Sequence, residues 1–347
     1  MLVSLPSLQS DTAFLTDCAE IMIEIAQYSV TKPSHQSVIT SVTWALANLS
    51  DSLAKHHLQD NDNTDDIFPP YLVLQLIRMS IKSSFAACTN SHMTIRSNRY
   101  IIFLFCRYVR VSKRLFFSSV RSLGSLLQCL DGMSKFICIE EYSEVGELCR
   151  EAVDAIAKNI SGGKVMKVRW NACYAASLVL KVKEEMICSS QSRLNIIEAI
   201  LPVMQSCPNY KVRINGALAL MSIDQRSVFS TLYCPTVKSV VKSLESAISN
   251  LEDSDEIQHR SDLIDQLCAT YAHLLCLVQP EDFRQLSCEI DMDMLTDAFK
   301  SALLRISPEK TGVFVEAQRR VNSLEKAPDK TTPNSIFPSA IVDTLMR

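Results

Sequence analysis

One tetrapeptide constrains this chain more than any other feature of its sequence. The pattern [Ile/Val]-Arg-x-Asn occurs as Ile95-Arg96-Ser97-Asn98, Val168-Arg169-Trp170-Asn171 and Val212-Arg213-Ile214-Asn215. Each copy opens a stretch with helical apolar spacing, and small residues follow at once. They are Ala172, Ala175 and Ala176 after one copy, and Gly216, Ala217 and Ala219 after another. A degenerate copy, Val38-Ile39-Thr40-Ser41, runs into Trp44, with Ile39 in place of Arg and Ser41 in place of Asn. The arginines lie 44 residues apart between 169 and 213, and 73 apart between 96 and 169. A helix opening that recurs along a chain marks a repeated unit.

Glycine usage narrows the unit further. Seven glycines in 347 residues is scarce, since glycine serves where backbone must turn with positive φ or press on a phosphate. Gly-rich phosphate loops, dinucleotide fingerprints and hairpin-rich β folds are therefore excluded. Hydrophobic residues at 47% and charged residues at 21% suit a packed chain, and a net charge of −3 draws it toward neither nucleic acid nor membrane. A period of about 40–47 residues with two helices is that of HEAT and armadillo units. The expected fold is all-α: a right-handed α-α superhelix, HEAT/armadillo-like, of about 4–6 helix pairs. It is expected over residues 1–306, followed by a mostly loose tail at 307–347 with one helix around Gly312–Leu324. In each pair the first helix lies outside and the second inside. The apolar residue of the tetrapeptide faces the shared core. The arginine spreads its stem over the neighbouring repeat and bonds polar groups in the turns. Glycine is needed at one tight helix contact, Gly216.

The 73-residue spacing is too long, and residues 99–118 account for it. They run Arg-Tyr-Ile-Ile-Phe-Leu-Phe-Cys-Arg-Tyr-Val-Arg-Val-Ser-Lys-Arg-Leu-Phe-Phe-Ser, with no acidic residue. Without them, Ile95-Arg96-Ser97-Asn98 joins Ser119-Val120-Arg121-Ser122-Leu123-Gly124 as one helix opening, and the spacing falls to 53, which is 73 less 20. The composition is that of translated A/T-rich non-coding sequence, so 99–118 is read as a non-native insertion, a retained intron. The alternative is a basic-aromatic element for nucleic acid or a membrane surface: Arg96, Arg99, Arg107, Arg110, Lys113, Arg114 and Arg121 with Tyr100, Phe103, Phe105 and Tyr108 between them.

Chemistry is sparse. Thirteen cysteines stand mostly in apolar stretches, without Cys-x-x-Cys or zinc-finger spacing. They read as buried thiols of a reducing compartment, cytoplasm or nucleus. His56-His57 reads as a helix end, and His273 with Cys276 as packing rather than a nucleophile pair. Gly162-Gly163-Lys164 reads as an interhelix turn, since it lacks the rest of a phosphate loop. No signal peptide or membrane span is evident. No catalytic residue, metal site or cofactor is expected, and the chain is not read as an enzyme. The candidate concave-face or repeat-signature residues are Trp44, Arg96, Asn98, Arg169, Trp170, Asn171, Arg213 and Asn215. The expected function is a protein–protein interaction scaffold with protein partners, and no small-molecule substrate, nucleic acid or membrane. The alternative is a karyopherin-like transport or nucleic-acid-associated adaptor, which needs a continuous charged stripe along the inner face.

The segment Val42-Thr-Trp-Ala-Leu-Ala-Asn-Leu-Ser-Asp-Ser-Leu53 and the block Lys167-Val-Arg-Trp-Asn-Ala-Cys-Tyr-Ala175 resemble elements of the HEAT repeat-containing protein 6 family. Lys211-Val-Arg-Ile214 is similar to the copy that follows, and Gln266 to Phe283 to its late helices. The resemblance covers roughly residues 10–300 outside 99–118. It implies an α-solenoid without catalytic residues, and a chain corresponding to the C-terminal part of longer proteins. The chain departs from general HEAT patterns in the turn before the Val-Arg element. Asn209 and Lys164 stand where Asp is usual, which puts an Asp–Arg ladder in doubt. Sequencing the transcript is expected to reveal a form lacking the codons for 99–118; an mRNA population that always carries them refutes the intron reading.

Overall fold

The computed structural model of the chain describes residues 12–30, 36–59, 69–88, 113–134, 137, 142–163, 165–249, 257–290, 295–305, 308–325 and 336–337. Among these residues every regular element is a helix and no strand occurs. The helices are α1 (Thr12–Val30), α2 (Gln36–Gln59), α3 (Pro70–Cys88), α4 (Lys113–Gly132), α5 (Tyr142–Gly162), α6 (Met166–Val179) and α7 (Ser190–Ser206). There follow α8 (Tyr210–Met221), the short α9 (Arg226–Phe229) with a 3-10 turn at Ser230–Leu232, and α10 (Tyr233–Ser249). The last are α11 (Ile257–Cys276), α12 (Pro280–Ser287), α13 (Thr296–Arg305) and α14 (Pro308–Glu325). The short helices α9 and α12 carry too few residues for a periodic apolar pattern, and the sequence reading misses both. The chain divides into two compact units, residues 1–196 and 197–347.

Apolar spacing explains the helices of the first unit. In α5, Val145, Leu148, Cys149, Ala152, Val153, Ile156 and Ile160 recur on one stripe and are buried. Glu144 in the first turn suits the positive end of the helix dipole. The helices pack as pairs, α1 on α2, α3 on α4 and α5 on α6. Like members also pack together: α1 on α3 and α3 on α5, then α2 on α4 and α4 on α6. Three pairs thus form two layers. Helix α4 sits at the centre of one layer, with Val120, Leu123, Leu126, Leu127, Cys129 and Leu130 fully buried. Close packing there rests on small side chains. A Cβ at Gly124 would lie 2.6 Å from Ala175 Cα and 2.8 Å from its carbonyl oxygen, so α4 and α6 touch backbone to backbone. The expected tight contact at Gly216 is ordinary by comparison, with Ile200 Cγ2 3.4 Å from a Cβ there.

In the second unit α11 is the hub. Helices α8, α10, α13 and α14 all pack on it. Tyr271 on α11, Phe299 on α13, Phe314 on α14 and Phe337 form an edge-to-face cluster. Phe299 stands at its centre, 5.7, 6.3 and 6.0 Å from the other three ring centroids. The Tyr271 hydroxyl donates to Ile336 O at 2.6 Å. The helix expected around 312–324 is present as α14; it buries Phe314, Ala317 and Val321, and Ile336 and Phe337 are also buried. The polar, Pro-containing text of 307–347 conceals the few apolar residues that dock on α11. Residues 326–335 and 338–347 lie outside the described residues, as do 99–112 of the proposed insertion; its last six residues, 113–118, belong to α4.

Gly124→Ala is expected to destabilise the chain in urea unfolding by about 1–3 kcal/mol through overpacking, despite a helix-propensity gain of up to about 1 kcal/mol. Gly162→Ala, with no atom within 4 Å of its Cβ, is expected to leave stability unchanged or raise it.

Candidate functional site

The tetrapeptide arginines close helix ends. Arg169 is the fourth residue of α6. Its Nε donates to Ile160 O at 2.9 Å and its Nη2 to Ser161 O at 3.5 Å, in the last turn of α5. The last carbonyls of a helix have no intrahelical donor, and a cation also suits the negative end of the dipole. Gly163 clears the path, since a Cβ there would lie 2.9 Å from Arg169 Cγ. Arg213, fourth in α8 and 5% exposed, repeats the bond from Nε to Met204 O at 2.8 Å. Its Nη2 reaches Ser243 O on α10 at 3.2 Å, and the guanidinium stands over the Tyr210 ring. Burial pushes the Arg213 pKa down, against the electrostatic effect of Tyr210 and Cys207. Asn171 and Asn215 donate to the carbonyls of Lys167 (2.7 Å) and Lys211 (2.8 Å), one turn back. Asn209 N-caps α8, its side chain accepting from Val212 N–H, which fills the capping role of the missing Asp.

These four residues therefore brace the fold. Of the other candidates, Trp170 is 37% exposed on α6. Trp44 lies on α2 with its side chain outside the described residues, and Arg96 and Asn98 lie outside them altogether. A further cap was missed in the sequence. Arg260, fourth in α11, donates from Nε to Ala247 O and from Nη2 to Ile248 O, both at 2.7 Å. Its tetrapeptide is His259-Arg260-Ser261-Asp262, with Asp at the Asn position, 47 residues after Arg213. A search for Arg-x-[Asn/Asp] at that period would have found it. Arg320 caps the end of α11 at Val278 O, and Arg193 reaches Val182 O just past α6.

A second group of residues, half-buried apart from the buried Ser125 and the exposed Trp170, lies along the layer of α2, α4 and α6. Asp51 on α2 accepts from Arg121 Nε (3.1 Å) and Nη2 (2.7 Å), and from Ser125 Oγ (2.6 Å), both on α4. The Arg121 guanidinium stacks over the Tyr174 ring of α6, 4.8 Å from its centroid. Burial raises the Tyr174 pKa, helped by the Asp51 charge and opposed by Arg121. Trp170 lies one helical turn from Tyr174 on the same face of α6. The row Asp51–Arg121–Tyr174–Trp170 thus crosses three successive helices and ends on an exposed indole. An Asp–Arg link between helices does exist, built by Asp51 and Arg121 rather than by turn residues. Arg121, counted in sequence with the basic run, is engaged by Asp51 instead.

Buried thiols are held in the protonated form. Burial pushes Cys149 and Cys188 up to about 12 and raises Cys129 and Cys268 further. No disulfide joins the described cysteines. Cys276 donates to the carbonyls of Ala272 and Val313, and His273 Nε2 donates to Ile223 O at 2.7 Å, so the two do not form a pair. Among the described residues no group of three or more His, Cys, Asp or Glu could hold a metal. Among them, too, no helix is long and apolar enough to cross a membrane. The strongest polar cluster is structural. Arg226 grips Asp282 with two bonds of 2.7 Å, stacks over the Tyr233 ring at 4.3 Å and holds Ser230 O at 2.8 Å. Ser230 there has φ 47°.

Comparison with known proteins adds little. The chain is 26% identical over 147 residues to an uncharacterized protein of Dictyostelium discoideum, an alignment covering 38% of this chain and 10% of that one. The chain therefore spans about a tenth of that relative's length. No protein-family model matches the chain, and no solved structure matches it.

Two measurements check the roles assigned above. Arg213→Ala is expected to cost about 3 kcal/mol, with Arg213→Lys recovering little because an ammonium cannot reproduce the fork. Arg169→Ala, at a more exposed cap, is expected to cost about 1 kcal/mol. Burial alone would raise the Asp282 pKa, but the bonds and charge of Arg226, with Gln279 N–H and the Cys234 thiol, hold it below the usual carboxylate value. A depressed folded pKa contributes stability above the unfolded value, about 3.9, that is lost as pH falls through the folded one. Stability is therefore expected to drop below about pH 4, and Asp282→Asn to flatten that acid limb while lowering stability at neutral pH.

Proposed function

We propose that the chain is a segment of a HEAT/armadillo-type α-solenoid that serves as a non-enzymatic protein–protein interaction scaffold. Stacked helix pairs in the first unit, and arginine caps at the fourth residue of α6, α8 and α11, support the solenoid reading. The 44- and 47-residue spacing of those arginines is the period such repeats use. Kinship with the HEAT repeat-containing protein 6 family is part of the same proposal, carried by the Lys167–Ala175 block. High thiol pKa values suit a reducing compartment, cytoplasm or nucleus, with the thiols kept as packing groups.

The observation that carries the scaffold reading is the row Asp51–Arg121–Tyr174–Trp170 along the layer of α2, α4 and α6. The ion pair and stack hold Tyr174 rigid, so an approaching protein meets a fixed aromatic ledge. Tryptophan and tyrosine contribute most to binding at such ledges. Immobilised chain is expected to retain a defined protein from cell extract, and Trp170→Ala to cut that retention about tenfold with the fold intact. Retention unaffected by Trp170→Ala, or salt-dependent retention of RNA alone by a chain lacking 99–118, overturns the reading in favour of no docking at this ledge or of a nucleic-acid adaptor.

A further inference from the structure

The helix starts share a register that the sequence alone does not reveal. Arg169 is the fourth residue of α6, Arg213 of α8 and Arg260 of α11. Ile39, from the degenerate copy, is the fourth residue of α2. In α4 the fourth residue is Phe116, inside the segment 99–118. Arg96 stands 17 residues ahead of Lys113, where α4 begins, so it does not open that helix.

Removal of 99–118 restores the register on both sides. The join brings Ile95-Arg96-Ser97-Asn98 onto the places of Leu115-Phe116-Phe117-Ser118, directly before Ser119. Arg96 then takes the fourth place of α4. Three caps say what it would meet. Arg169, Arg213 and Arg260 each donate from Nε to the third-last residue of the preceding helix, Ile160, Met204 and Ala247. The third-last residue of α3 is Ala86. Asn171 and Asn215 each donate four residues back, and four before Asn98 is Thr94. The connection from α3 to α4 also shortens, from residues 89–112 to residues 89–92. That length is normal for paired helices, and three residues separate α5 from α6 and α7 from α8. Everything from Ser119 onward keeps its place, including Gly124 against Ala175 and Arg121 on Asp51.

We infer that residues 99–118 are an in-frame insert within a complete helix pair, and that a chain without them closes α3 onto α4 through Arg96 on the Ala86 carbonyl. Presence or absence of the insert then sets the stability of the first unit. The test is a cycle of four chains: full length and Δ99–118, each with and without Arg96→Ala, followed by thermal melting. Δ99–118 is expected to melt above the full chain. Arg96→Ala is expected to lower its midpoint by about 3–6 °C, while moving the full chain by less than about 1 °C. Failure of Δ99–118 to fold, a midpoint below that of the full chain, or equal effects of Arg96→Ala in both backgrounds overturns the inference.

Discussion

The carbonyl groups left open at helix C-termini are the constraint on which the rest of this structure depends. Every α-helix ends with four of them, and the common remedy is a glycine in the left-handed region. This chain has seven glycines, and none of the described ones has positive φ. Arginine supplies the remedy instead. Arg169, Arg213, Arg260 and Arg320 each reach from a later helix to the carbonyls at or just past the end of an earlier one. A glycine cap is local and stabilises one helix. An arginine cap crosses between helices, so the bonds of Arg169, Arg213 and Arg260 that finish one helix also fix the start of the next. Arg213 extends the link to a third, through Ser243 on α10.

That choice shapes what remains for function. The repeated arginines and asparagines at 169, 171, 213 and 215 are tied to helix ends and to the preceding helical turn, and their recurrence reflects that geometry. The proposed docking role falls instead to side chains that the repeat does not specify. Asp51, Arg121 and Tyr174 come from three different helices, and their ion pair and cation–π contact turn a helix face into a fixed ledge for Trp170. The polar network around Arg226 does a different task. It locks the short α9 and its turn against α12 by a bidentate pair at low exposure, where a lost partner would leave a buried charge.

Much of the fold was legible beforehand because helix formation leaves a periodic trace. The stretches that became α3, α5, α7 and α8 show apolar residues at three- and four-residue intervals. The role of Arg169 and Arg213 as turn-bonding side chains was also legible, since a long fork-shaped cation early in a second helix can reach few other places. Arg260 escaped notice because Asp stands where Asn was sought. The docking of Phe314 and Phe337 on Tyr271 was hidden by polar neighbours and prolines, whose local preference says nothing about a few apolar residues that meet a distant helix.

By itself, the sequence determined helix class, helix placement and the recurrence of the capping arginine, because these depend on local spacing and on the reach of one side chain. The tertiary structure decided which contacts are tightest, which polar residues are buried and where an exposed face forms. Gly124 rather than Gly216 makes the close approach, and Arg121 belongs to Asp51 rather than to a basic run. Such outcomes depend on residues about 50–75 positions apart meeting across helices, and no local pattern of one helix records its neighbour.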